Sequence, residues 1–143
     1  MGRRAVSPAA YNSFCSALPH TSHVVQWGGC DVWKVGGKVF AIGGWNDADQ
    51  DMFVTFKCTG IAFEILKDMP GLRPAPYLAS RGLKWIQRTG PESMSDAVLR
   101  EYLRGSHSLV TLGLPKKLQR ELGLIPPTSA ADAANANANA FQS

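Results

Sequence analysis

The 143-residue sequence lacks the features that would place it in several large classes of protein. No window approaches the ~18 consecutive apolar residues of a membrane span, and Arg3 and Arg4 are not followed by an apolar run, so neither an inserted nor a targeted segment is expected. Cysteine is sparse and odd in number: Cys15, Cys30 and Cys58. That excludes a disulfide framework and points to a reducing, cytoplasmic compartment. No CxxC pair occurs, and Cys15, His20, His23 and Cys30 do not fall in the close pairs of a structural zinc site, so no metal is expected. Asp47, Asp49 and Asp51 begin the spacing of a calcium loop, but Met52 stands where its turn glycine belongs and Cys58 where its bidentate Glu belongs. There is no GxGxxG and no GKS or GKT, which argues against phosphate chemistry. Nor does a nucleophile stand beside a base, so no catalytic residue and no cofactor is expected.

One stretch lacks acid altogether. Gly71 to Arg88, GLRPAPYLASRGLKWIQR, carries Arg73, Arg81, Lys84 and Arg88 with no Asp or Glu, and interleaves Tyr77 and Trp85. Proline offers no N–H to a ladder, so an arm with Pro74 and Pro76 belongs at a sheet edge. After Gly82 a two-residue period sets Leu83 and Trp85 on one face and Lys84 and Arg88 on the other. A basic hairpin results, with Trp85 as its anchor and the cations as contact candidates. The plainer reading is a solvated hairpin with core aromatics.

The charge is divided along the chain. Residues 5–72 hold four basic and six acidic residues, net −2, whereas residues 73–124 hold nine and four, net +5. A basic half favours an anionic partner.

A chain of this length is expected to form one domain, burying roughly 68% of its unfolded surface. Residues 1–6 are read as a flexible N-terminus, 7–124 as the domain, and 125–143, with its ANANANA repeat, as a disordered tail. Ser7 and Pro8 start a helix with Tyr11, Phe14, Cys15 and Leu18 on its apolar stripe, closed by Pro19. Strands are expected at Val24–Trp27, Asp31–Val35, after the Gly36–Gly37 turn, and at Met52–Cys58. A two-residue turn pairs Trp33 with Phe40, placing Trp33, Val35, Phe40 and Ile42 together in the core and Lys34 with Val39 and Ala41 opposite. Thr59 caps a helix to about Asp68, with Ala62, Ile65, Leu66 and Met69 inward. Ser95 and Asp96 open the longest helix, with His107 on its polar side, and Pro115 starts a short one carrying Lys116, Lys117 and Arg120. Cys58 beside Lys57 invites a lowered thiol pKa. The N-terminus of the helix at Pro115 is a place where backbone N–H groups hold a phosphate.

Taken together, Pro19, VWKVGGKVFA at Val32–Ala41, FVTFKC at Phe53–Cys58, PGLRP at Pro70–Pro74, Lys84 with Trp85, and SLVTLGLPKKLQ at Ser108–Gln119 resemble the MmcQ/YjbR family of small bacterial proteins over about residues 8–122. The resemblance implies an α+β fold similar to bacterial frataxin (CyaY-like), an antiparallel β-sheet with helices packed on one face and a double wing of β-hairpins, from which DNA binding is inferred. By position the family's lysines fall on Lys34, Lys38, Lys57, Lys116 and Lys117, and its tryptophan on Trp85. Many members have an Asn-Lys or His-containing segment before that tryptophan. This chain has YLASRGLKW, which keeps phosphate contact through Arg81 and Lys84 rather than base reading. Frataxin-like iron handling needs an acidic ridge, and the first helix has no Asp or Glu.

The function expected is therefore non-enzymatic binding of duplex DNA, weak and dominated by the phosphate backbone, through Lys34, Lys38, Arg73, Arg81, Lys84, Arg88, Lys116, Lys117 and Arg120, with Trp33, Phe40 and Trp85 as structural anchors. The alternative is a protein or small-ligand interaction module with no nucleic-acid role. The two differ in their response to salt.

Overall fold

A computed structural model of the chain describes residues 7–46, 51–76 and 78–123. Tyr77, Asp47, Asp49, the segment 1–6 and the tail from 124 lie outside the described residues.

Helix α1 (Pro8–Ser16) starts as its sequence dictates: Ser7 Oγ accepts the Ala10 N–H at 3.1 Å and Pro8 fills the first turn. Strands β1 (Thr21–Gln26), β2 (Cys30–Val35), β3 (Lys38–Asn46) and β4 (Asp51–Lys57) follow, then α2 (Gly60–Leu66), β5 (Leu72–Pro74), a 3₁₀ turn at Ala79–Arg81, β6 (Trp85–Arg88), α3 (Asp96–Leu112) and α4 (Lys116–Glu121). Thr59 and Ser95 cap α2 and α3 through their hydroxyls. The six strands form one antiparallel sheet in the order β1-β2-β3-β4-β6-β5.

Paired residues define rows across the sheet, and successive rows point to opposite faces. The row Trp33–Ala41–Phe56–Ile86 meets the helices, as does the row holding Val54 and Leu72. Tyr11 and Cys15 of α1, Phe63 and Leu66 of α2, and Leu99, Leu103 and Val110 of α3 complete this core. Helix α1 lies directly on β3: a Cβ on Gly43 would stand 2.5 Å from Tyr11 Cε2. Phe40 is fully buried and the Trp33 indole donates to Asn12 Oδ1 at 2.8 Å.

The first hairpin departs from the expected register. Gly36 and Gly37 do form its two-residue turn, with φ of 59° and 81°. Val35 pairs with Lys38 and Lys34 with Val39, but the register then shifts and Trp33 pairs with Ala41. Phe40 is the extra residue of a β-bulge. Phe40 and Ala41 therefore both enter the core, although Ala41 was expected opposite with Lys34 and Val39, and Ile42, expected beside Phe40, turns to the opposite face. In α2 the inward residues are Phe63 and Leu66, while Ile65 is 62% exposed.

Ser106 of α3 joins two neighbouring strands by its hydroxyl. It donates to Phe40 C=O at 2.6 Å and accepts the Lys57 N–H at 2.9 Å. The bulge leaves these groups outside the β3–β4 pairing, and the helix satisfies them.

Candidate nucleic-acid interface

The strand directions sort the cations. The end of β2, the start of β3, the end of β4 and the start of β6 all lie at one end of the sheet. Lys34, Lys38, Lys57 and Lys84 occupy those positions. Both hairpin loops, Gly36–Gly37 and the 75–84 connection between β5 and β6, emerge at this same end, which is the disposition of two wings. The side chain of Leu114 packs on Gly36, where an added Cβ would stand 2.6 Å from Leu114 Cδ1, so the start of α4 with Lys116 and Lys117 sits against the first hairpin turn. Acidic Asp31 and Asp51 are at the far end of the sheet.

Lys38, Arg81, Lys84, Lys116, Lys117 and Arg120 are exposed and Lys34 is half-buried. Lys84 also covers the Phe63 ring, its Nζ 5.0 Å from the centroid, a favourable cation–aromatic contact that holds the stem in place. Arg73 stands apart, midway along the β5 edge, where its Nε and Nη2 both donate to Gln87 Oε1 at 2.8 and 2.6 Å. Helix α4 has six residues and no side-chain cap, so its short dipole is no phosphate site and its contribution rests on the lysines.

Arg88 is not a contact residue. It is fully enclosed between the sheet and the start of α3, donating from Nε to Met94 C=O and from Nη2 to Asp96 Oδ1, both at 2.9 Å. The two-residue period placed it opposite Trp85, as observed, but β6 lies between β4 and β5 and all four of its residues are buried. Alternation there separates two covered faces, not inside from outside. Ile86 and Arg88 face the helices, and Trp85 and Gln87 the other side. Leu83, expected to share the anchor with Trp85, precedes the strand and is 42% exposed.

The groups weighed for chemistry are occupied structurally. His107 is buried, with Nε2 2.8 Å from Pro19 C=O and its ring edge-on to Phe40, in place of the polar side expected. His23 Nε2 lies 2.8 Å from Asp31 Oδ1 and its ring packs on Trp33. Burial pushes the Cys58 thiol up to about 11, with Lys84 opposing it, so the lowered value anticipated from Lys57 does not arise. Burial likewise raises Cys15 to about 12.

Sequence reading missed the sheet's second face. On the side away from α1 and α3, an apolar groove of about 400 Å³ is lined by Trp27, Cys30, Ile42, Phe53, Thr55, Ala75, Pro76, Leu78 and Gln87. The signal was present: Val32, Ile42 and Phe53 are apolar on strands β2, β3 and β4, whose alternate residues already fill the core, so both faces are apolar.

Six antiparallel strands with three helices gathered on one face, and a fourth short helix clasped to a hairpin turn, define a small α+β domain with paired hairpin wings. The sequence profile of the YjbR family matches residues 16–109, and the chain belongs to that family. The fold is similar to that of the Deinococcus radiodurans protein DR2400, a DUF419 domain, with a TM-score of 0.69, 24% sequence identity, and cover of 91% of this chain and 95% of that one. No curated protein matches the chain in sequence. No helix among the described residues is long and apolar enough to cross a membrane.

Proposed function

We propose that this protein binds the phosphate backbone of duplex DNA, without catalysing a reaction on it, through the basic end of its sheet. The observation that carries the reading is the convergence of Lys34, Lys38, Lys57 and Lys84 at one end of the strands, with Lys116 and Lys117 held beside them by the Leu114–Gly36 contact. Lysines act as point charges that release counterions, and a chain contacting about four phosphates has a salt slope of roughly −3.6. Arg81 extends the surface along the 75–84 connection, and Arg120 along α4. Arg73 is a weaker contributor because Gln87 takes two of its donors. Contacts of this kind position a duplex and carry no base information.

The test is fluorescence anisotropy with a labelled duplex across a salt series. The combined Lys38→Ala, Lys116→Ala and Lys117→Ala variant is expected to weaken binding uniformly across sequences and to reduce the slope by up to about 2.7. Absence of binding at low salt, or a slope unchanged in the variant, refutes the proposal.

A further inference from the structure

We propose that the groove on the helix-free face binds a small aromatic monocarboxylate, its ring between Trp27 and Leu78 and its carboxylate at the Thr55–Gln87–Arg73 end. The volume, about 400 Å³, falls within the ~300–1,000 Å³ of small-molecule sites, and the groove has their usual makeup of apolar walls with a few convergent polar groups.

Three observations fix the class of ligand. The first is the polar end. Thr55 and Gln87, 2% and 6% exposed, face each other across β4 and β6, and Gln87 Nε2 donates to Thr55 Oγ1 at 3.2 Å. A glutamine amide has two N–H groups and a threonine hydroxyl one O–H. Among the described residues the second Gln87 N–H and the Thr55 O–H have no acceptor, so the groove offers donors and calls for an acceptor.

The second is charge. Arg73 pairs with Gln87 across the β5–β6 ladder and is exposed, and Lys57 lies two residues beyond Thr55 on the same face. From the row of Phe53 to that of Lys57, the helix-free face carries no Asp or Glu among the described residues. The complement is an anion, and with Nε and one Nη2 N–H of Arg73 given to Gln87 Oε1, the Nη1–Nη2 end of the guanidinium is the edge offered to a carboxylate.

The third is the apolar rim. Trp27 is 57% exposed and has φ 54°, with Gly28 and Gly29 also left-handed. A bulky residue held at positive φ is costly, and such strain persists where the surroundings impose it, with ligand sites the frequent setting. The turn presents the indole to a groove whose floor includes Phe53, and two aromatic walls suit a ring better than a flexible chain.

This inference is independent of DNA binding, since the groove can be filled whether or not the lysine end meets a duplex. The experiment is a titration of the ¹⁵N-labelled protein with 3-phenylpropanoate, and in parallel with the neutral 3-phenylpropan-1-ol, followed by amide shifts. Saturable shifts at Cys30, Ile42, Phe53, Thr55 and Gln87 are expected, with the carboxylate bound about tenfold more tightly than the alcohol, the equivalent of one charge-assisted hydrogen bond. Arg73→Gln, on the exposed edge, should abolish that preference, and Thr55→Val should weaken both probes severalfold. Ile42→Trp, which fills the floor, should abolish binding of both. No saturable shift, shifts confined to the lysine end, or binding by the Arg73→Gln and Thr55→Val proteins equal to that of the parent protein overturns the proposal even if Ile42→Trp does not fold.

Discussion

The burial of Arg88 makes a quantitative prediction. The guanidinium is wholly enclosed and, among the described residues, Nη1 has no hydrogen-bond partner and the charge is met by Asp96 and the Met94 carbonyl. Removing one partner of a fully buried pair costs about 3–5 kcal/mol because a charge is left without compensation. The Asp96 side chain is 47% exposed, so water screens the pair, and the expected loss for Asp96→Asn falls to about 2–3 kcal/mol. Asp96 also sits in the first turn of α3, where its charge contributes about 0.3–1 kcal/mol by itself. A double-mutant cycle with Arg88→Met separates the two effects. In the Arg88→Met background, Asp96→Asn should cost only the helix contribution, giving a coupling of about 1–2.7 kcal/mol. Arg88→Met alone should cost about 1–3 kcal/mol, because the Met94 carbonyl loses its donor. Urea unfolding reads all four proteins, and Tm should fall by roughly 6–10 °C for Asp96→Asn. A coupling below about 0.5 kcal/mol is the behaviour of a surface pair and refutes the reasoning. So does a DNA salt slope that falls by about 0.9 in Arg88→Met, which would make Arg88 a phosphate contact.

Two further predictions concern the core. Ser106→Ala removes the one hydroxyl that serves both Phe40 C=O and Lys57 N–H, and should cost about 2–4 kcal/mol by urea unfolding, while a loss below about 1 kcal/mol would mean that the strands satisfy those groups unaided. Alkaline pH should destabilise the protein: the thiols of Cys15 and Cys58 ionise near 9 in the unfolded chain but are pushed up to about 12 and 11 by burial, so the unfolded state releases protons first and stability falls as pH rises above about 9. Unfolding midpoints measured from about pH 7 to 10.5 check this, and Cys15→Ala should flatten the profile; a flat profile in the parent protein contradicts it.

The elements were legible where one local signal decided them. Ser7–Pro8, Thr59 and Ser95 announced their helices by capping chemistry, and Gly36–Gly37 announced its turn. On β4, Met52, Val54 and Phe56 alternated cleanly with Phe53, Thr55 and Lys57. The errors arose where the deciding information was not local. At the bulge the Phe40 C=O is met by Ser106 of α3, 66 residues away in sequence, and the bulge turns Ile42 into the groove. Sequence pattern misplaces Arg88 because a strand buried on both faces gives no outward side to read, and Asp96 reads in the sequence only as part of a helix start. The charge division near residue 72 did point to a basic surface, but it could not show that Lys34, Lys38 and Lys57, from the acidic half, end beside the later lysines. Antiparallel topology brings them there.

The seating of Leu114 on Gly36 has a consequence for any anion that meets the lysine end. Residue 36 has no side chain and φ of 59°, so the contact is backbone against a branched methyl group, with no side-chain torsion in the glycine to absorb movement. Lys38 and Lys116 are thus carried on parts that fold as one body, and the spacing of the charges is set like the teeth of a gauge before a partner arrives. The ordering entropy of bringing the two segments together is met once, during folding, and is not charged again at each encounter.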